Sequence, residues 1–274
     1  MNLTIEQIKI LAWKIRSNVL DMTYNAGVEG GHIGGAFSAA DLLAVLYGSV
    51  LNISPDTVTN PNRDRFILSK GHVSLAHYAV LKECGFMSQE NLESFEKNGS
   101  LFSTHEVESI KHGIEITSGS LGYGLSIGVG MSLAAKQKGM SYKTFVLMGD
   151  GECNEGTVWE AAMAASKHKL DNLFAIVDKN GQQLDGFTTD ILPLSNLDMI
   201  FKGFGWNVQT IDGHNIETIQ KAFENVVPGV PMVIIAETVK SKGIPSIEGK
   251  IGWHHARITE EQYLEFKREL EATI

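Results

Sequence analysis

Cysteine is almost absent. Two residues, Cys84 and Cys153, cannot build a disulfide framework or a zinc cage in a chain of 274 residues, so a reducing compartment is expected. Cationic blocks are missing too. The 23 Lys+Arg face 32 Asp+Glu, a formal charge of −9, and no Lys/Arg cluster reverses this locally, which argues against broad binding to a nucleic-acid backbone. No apolar run of membrane-spanning length is read in the sequence. The N-terminal MNLTIEQIKI carries acidic and amide groups where a signal peptide needs positive charge and then an unbroken apolar stretch. Internal repeats and low-complexity linkers are also lacking, so one domain over residues 1–274 is the expected count. A hydrophobic share of 43% with 20% charged residues suits a globular chain with a substantial core. These absences point to a soluble cytoplasmic protein with neither nucleic acid nor membrane as partner.

Several patterns are present. Thr4 and Gln7 match a capping box ahead of a helix with apolar residues at Ile5, Ile8, Leu11, Ile15, Val19 and Met22, ending near Asn25-Ala26-Gly27. A Gly-rich turn over 30–35 leads to a second apolar helix expected from near Ser38. A short strand at 65–69, a turn at Gly71-His72 and a helix to about Cys84 follow. Beyond a polar loop at 97–116, strands at 145–148, 173–177, 206–210 and 232–236 alternate with helical stretches, notably 155–169 and 215–226. Three of these strands are almost continuously apolar, as strands covered on both faces are. The alternation implies an α/β protein: a parallel sheet with right-handed crossovers and helices on both faces. Thr259 with Gln262 opens a last helix.

The stretch most informative about chemistry is Met148-Gly149-Asp150-Gly151-Glu152-Cys153-Asn154-Glu155-Gly156, between an apolar strand and a helix. Ligands of parallel α/β sheets sit beyond the carboxyl ends of the strands, and the following helix offers free N–H groups to an anion. A carboxylate at that spot would repel phosphate unless a cation stood between them, and a hard divalent ion such as Mg²⁺ suits the oxygen donors. Asn180, thirty residues on at the end of the next apolar strand, should emerge at the same sheet edge; the backbone carbonyl of Gln182 would complete the protein's share. A lone Gly-Asp-Gly is also a common turn, and a bare turn is the competing reading. The thiol of Cys153 has no evident base beside it and reads as packing.

GDGECNEG followed by DKNGQQLDG resembles the thiamin diphosphate motif of the transketolase family. GGHIGGAFSAADLL, DRFILSKGH, GIEITSGSLGYGLSIGVGMSLA and TVKSKG with WHHA resemble further family segments in the family's order, over about residues 5–265. The resemblance implies a thiamin diphosphate-binding fold in which Asp150, Asn180 and the Gln182 carbonyl hold Mg²⁺ and Gly151 touches the diphosphate. It implies that Gly119, Ser120 and Leu121 line the cofactor, although that turn also reads as simple helix-start packing. His32 and His105 would contact the substrate and polarise its oxygens. His72 and His254 would lie near the diphosphate and the bound sugar, with His255 competing for the role of His254. Glu155 would join a carboxylate network between cofactor sites, against the plainer reading of an acid favoured by a helix dipole. His77, His112, His168 and His214 take structural or surface readings.

The family's full-length members continue into a pyrimidine-binding domain and a third domain, so the resemblance implies the N-terminal subunit of a split transketolase. It would transfer a two-carbon ketol unit between sugars, or sugar phosphates, only with a separate C-terminal subunit, in an α₂β₂ assembly. Thr104, where relatives usually have Gly, and Tyr123, where they often have Gln, suggest a donor other than the ordinary pentose phosphate. The α subunit of a 2-oxo acid dehydrogenase E1 is the nearest alternative, and a non-catalytic nucleotide- or metal-binding module a more distant one.

Overall fold

The computed structural model describes residues 2–194 and 196–273. Apolar residues at helical spacing form α1 (Ile5–Asn25), whose Thr4–Gln7 capping box is made and whose end is turned by Gly27 at φ +60°. The next helix, α2 (Ile33–Val45), continues as a wider turn to Val50. It begins at Ile33, five residues earlier than the sequence suggests, because its glycines serve close packing and do not form a turn. A Cβ on Gly34 would stand 2.3 Å from the carbonyl oxygen of Trp253. The Gly34 N–H donates to that carbonyl at 3.0 Å, and Gly31 bridges Ala256, so this segment clasps residues 253–256. The stretch Ile33–Val50 also corrects the reading that no apolar run reaches membrane-spanning length. It has that length and hydropathy, but 89% of it is buried inside the protein.

The remaining elements alternate. They are β1 (Arg65–Leu68), α3 (Ser74–Glu83), α4 (Gln89–Glu93), α5 (Tyr123–Gln137), β2 (Thr144–Gly149), α6 (Gly156–Lys167), β3 (Leu173–Lys179), α7 (Thr188–Ile191), α8 (Leu197–Gly203), β4 (Asn207–Asp212), α9 (Ile216–Ala222), β5 (Met232–Glu237) and α10 (Glu260–Glu271). The helix expected over 215–226 is shorter: it ends at Ala222, the chain turns at Phe223 and runs irregularly to Pro228. The strands pair in the order β1-β2-β3-β5-β4, all parallel.

The continuous apolar strand runs are explained by two cores. Phe145, Leu147, Phe174 and Ile176 face the one that contains α1, α2, α3 and α9 residues. Val146, Met148, Ala175 and Val177 face the one that contains α5, α6 and α8 residues. The last helix closes the first layer: Trp13 donates its indole N–H to the Leu270 carbonyl at 3.0 Å, and Tyr24 stacks on Tyr263 at 4.4 Å. Its start is capped reciprocally by Thr259 and Gln262. Thr259→Ala is therefore expected to lower stability by about 1 kcal/mol, read from the urea midpoint of the isolated chain.

Candidate active site at the strand ends

The register of the sheet places the chemistry. Gly149 at the end of β2 pairs with Asp178 near the end of β3, so the turns that follow leave the sheet side by side. The side chain of Asp150 bends into the neighbouring turn. One oxygen accepts the Gly151 N–H at 3.0 Å; the other accepts the Gly181 N–H at 2.9 Å and the Thr188 hydroxyl at 3.2 Å. Asn180 donates its amide to Asp178 at 3.3 Å, and its Oδ1 accepts the Gln182 N–H at 3.1 Å. Asp150 and the Asn180–Gln182 turn are thus brought together. Among the described residues no group of three or more His, Cys, Asp or Glu has the arrangement of a metal site. The donors at hand are one carboxylate and neutral oxygens, a set that suits a hard cation completed by ligand phosphates and water.

Four charged residues to which the sequence assigns no role hold this edge together. Lys70 is buried and lies 2.5 Å from Asp178, which also accepts from Ser38 at 2.6 Å and from Thr238. Burial opposes ionisation of Asp178, yet Lys70 and these hydroxyls hold its carboxyl below the usual range. Glu152 ties three loops by accepting from Ser69, from Gly122 N–H at 2.8 Å and from Gly149 N–H at 3.0 Å. The ammonium of Lys240 stands 3.3 Å from the Gln182 carbonyl, 3.2 Å from that of Gln183 and 3.0 Å from His254 Nδ1. Burial, with Lys70 nearby, lowers Lys240 to about 8, so an arriving anion would be welcomed by both lysines. Burial and then Asp178 push the Asp150 carboxyl up, against Lys70 and the Gly181 and Gly151 N–H groups. A signal for two of these residues was available: a charged group closing an apolar strand, as in LFAIVDK, or following one, as in DRFILSKGH.

A cavity of about 410 Å³ opens here, lined among others by Asp150, Asn180, Gln182, Lys240, His72 and His254. Leu121 and Glu155 also line it. Gly119 packs beside the His105 ring, and Ser120 is exposed between Gly119 and Leu121. Glu155 is the residue before α6, exposed, and its side chain makes no capping bond, although it stands where the helix dipole favours an acid. Gly122 explains how the turn before α5 comes so near: a Cβ there would stand 2.6 Å from that of Glu155.

The histidines converge. His32 has ring centroids of His72, His105, His254 and His255 at 5.4, 5.9, 5.2 and 4.7 Å. His72 and His254 are 5.0 Å apart. Both WHHA histidines therefore face His32, while His254 alone lines the cavity beside Asp150. Burial and then its histidine neighbours lower His32 to about 3; burial and then Lys240 lower His254 to about 3; burial and then Lys70 push His72 lower still. All three are neutral imidazoles near neutral pH. Nδ1 of His32 is buried without a partner, an orphan polar atom at the centre of the cluster. The other histidines lie elsewhere: His77 is buried in the core, His112 packs on Phe102, His168 is exposed, and His214 bridges Asp41 and the Val239 N–H. Cys153 is fully buried and burial raises its thiol well above the usual range, which bears out the packing reading.

A parallel α/β domain that gathers a carboxylate, two lysines and a cluster of histidines at adjacent strand ends has the layout of the α/β proteins that bind a cofactor beyond their strand ends. The chain belongs to the transketolase family: the family model described as transketolase, thiamine diphosphate binding domain, matches residues 8–272. One of the apulose-4-phosphate transketolase subunits of Phocaeicola vulgatus is 40% identical over 272 residues, covering 98% of this chain and 96% of that one. The 6-deoxy-6-sulfo-D-fructose transketolase subunit SqwG of a Clostridium species is 40% identical over 259 residues, covering 94% of each. Transketolase of Campylobacter jejuni superposes with a TM-score of 0.90 at 33% identity, covering 98% of this chain and 43% of that one. The chain thus spans less than half of that longer enzyme and nearly the whole of the two relatives that are themselves separate subunits. These relatives favour transketolase over the E1 alternative.

Proposed function

We propose that this chain carries the diphosphate-binding half of a two-subunit transketolase that moves a two-carbon ketol unit from a ketose donor to an aldose acceptor. The observation that carries the reading is the meeting of Asp150 with the Asn180–Gln182 turn at adjacent strand ends. Asp150, Asn180 Oδ1 and the Gln182 carbonyl would hold Mg²⁺. Lys70, Lys240, His72 and Gly151 would receive the diphosphate, and Gly119, Ser120 and Leu121 would line the remainder of the cofactor. When bound, thiamine diphosphate supplies the electron sink that stabilises the transferred two-carbon fragment.

The residues of this chain bind and orient. His32, His105 and His254 present imidazoles to the sugar's oxygens, and those of His32 and His254, kept neutral by burial, can donate or accept a proton there. Glu155, free at the edge of the cavity, would serve a carboxylate network with a neighbouring protomer.

A partner subunit with a pyrimidine-binding domain would complete the site, in an α₂β₂ assembly. Exposed Leu121, Tyr123, Leu184 and Leu192 on or beside the elements that frame the cavity support a covering chain. The two free, buried cysteines accord with a cytoplasmic enzyme. The relatives named for apulose 4-phosphate and for 6-deoxy-6-sulfo-D-fructose, with Thr104 next to His105 in the chain and Tyr123 two residues after Leu121, support a donor other than xylulose 5-phosphate.

The test is reconstitution with the candidate partner, thiamine diphosphate and Mg²⁺. Ketol transfer is expected from the complex and from neither chain alone, with one such donor turned over in preference to xylulose 5-phosphate. Oxidative decarboxylation of a 2-oxo acid, or activity of this chain by itself, would overturn the reading.

A further inference from the structure

His77, read from the sequence as a histidine on a packed or solvated helix face, is the centre of a buried polar chain. Its Nε2 lies 2.6 Å from the Tyr47 hydroxyl and its Nδ1 lies 2.5 Å from Glu106 Oε1. Tyr47, His77 and Glu106 are exposed by only 3%, 1% and 2%, and the rings of Phe66 and Phe86 pack around them. Polar groups in such surroundings are tolerated only when each is partnered. Glu106 accepts from the Nδ1–H of His77, and Nε2 shares the other hydrogen bond with the Tyr47 hydroxyl, which burial keeps protonated.

Glu106 follows His105 in a loop without regular secondary structure. Glu106 is buried and His105 is exposed, so the pair of residues points one side chain into the core and the next toward His32. The other side of His105 is tied down as well. The Thr104 hydroxyl donates to Glu96 at 2.6 Å, and its carbonyl accepts from Ser74 at 2.7 Å. Glu96 itself sits at φ +55°, an uncommon conformation for a residue with a side chain. Backbone from Ser118, beside Gly119, donates to the Glu106 carbonyl at 3.0 Å.

We propose that Tyr47, His77 and Glu106 form a buried clasp that positions His105 against the substrate. The inference rests on reading His105 as a substrate-contacting group. Glu106 is then a positioning residue, acting through its neighbour, and the unusual charge of STHEVESIKH has a structural purpose.

In the reconstituted two-subunit enzyme, Glu106→Ala is expected to lower kcat/KM for the ketose donor by about ten- to a hundredfold, with cofactor affinity changed by less than about twofold. Glu106→Gln, which keeps an acceptor for the His77 N–H, should recover most of that loss. In a His105→Ala background, Glu106→Ala should add less than about a twofold further loss. Hydrogen exchange at residues 103–107, which needs no turnover, should rise in Glu106→Ala. If Glu106→Ala does not fold, Tyr47→Phe removes only the far hydroxyl, and a smaller loss that vanishes in the His105→Ala background is expected.

Equal losses with and without His105, or unchanged exchange at 103–107, would overturn the clasp. An inactive wild-type complex with exchange that still depends on Glu106 would overturn the transketolase reading and leave the clasp on the loop standing.

Discussion

Asp150→Ala in the reconstituted complex is expected to weaken thiamine diphosphate binding at least about a hundredfold, exceeding what the loss of an outer-sphere partner costs a metal site. The Asp150 carboxylate reaches the Asn180–Gln182 turn directly, through the Gly181 N–H. Without it, any cation there would rest on neutral oxygens alone, and the diphosphate would lose its bridge to the sheet edge. Stability should move differently. The Asp150 carboxyl is buried beside Asp178 and raised above the usual range, so its ionised form is unfavourable in the unliganded fold. Removing it relieves that charge but leaves the Gly151 and Gly181 N–H groups and the Thr188 hydroxyl without their acceptor, and these terms oppose each other. The melting temperature of the free chain is therefore expected to change far less than cofactor affinity. Calorimetric titration with and without Mg²⁺ checks this: chelation should abolish wild-type binding and leave Asp150→Ala unaffected. Undiminished, metal-dependent affinity in the variant would remove Asp150 from the site.

The second large effect is on acid stability. His32 and His254 have folded values of about 3 against an ordinary 6.5, and His72 is lowered further. A base depressed by folding is neutral in the native state while the unfolded chain already binds protons. Its contribution is thus complete above 6.5 and is lost as pH falls toward about 3. Asp178, held low by Lys70 against burial, adds to the loss further down, as pH falls through its folded value. Asp150 and Glu152, raised mainly by burial, act the other way: their contribution is present in acid and disappears as pH rises through their folded values.

His105, His255, Lys70 and Lys240 also face the cluster, so a proton added to His32, His72 or His254 arrives beside two lysines and the histidines set the trend. The free chain should lose stability steadily between about pH 6.5 and pH 4, and His32→Asn with His254→Asn should flatten that slope. A slope identical in the double variant would show that the acid lability arises elsewhere. An anionic ligand should reduce the slope as well, because it raises the imidazoles toward their ordinary values.

The sequence by itself determined a good deal. Unbroken apolar runs such as FVLM and LFAIV, spaced by helices, specify strands buried on both faces and hence a parallel sheet; the two cores take alternate residues of those runs. Glycine on either side of Asp150 and an asparagine after the next strand specify turns that meet, since parallel neighbours bring their carboxyl ends to one edge. Reciprocal caps at Thr4 and Thr259 are local chemistry and were legible as such. The first turn of the helix that starts at Ile33 was not, because Gly34 and Gly35 carry a turn signal whose cause is the distant Trp253 carbonyl and Val73.

Only tertiary structure decided the electrostatics. Lys70 with Asp178 and His77 with Glu106 are partners separated by 108 and 29 residues. Spacing along the chain carries no record of such pairs, because each depends on burial and on which side chains meet across layers. A buried charge is stable only beside its counterpart, and that meeting exists only once the sheet has formed.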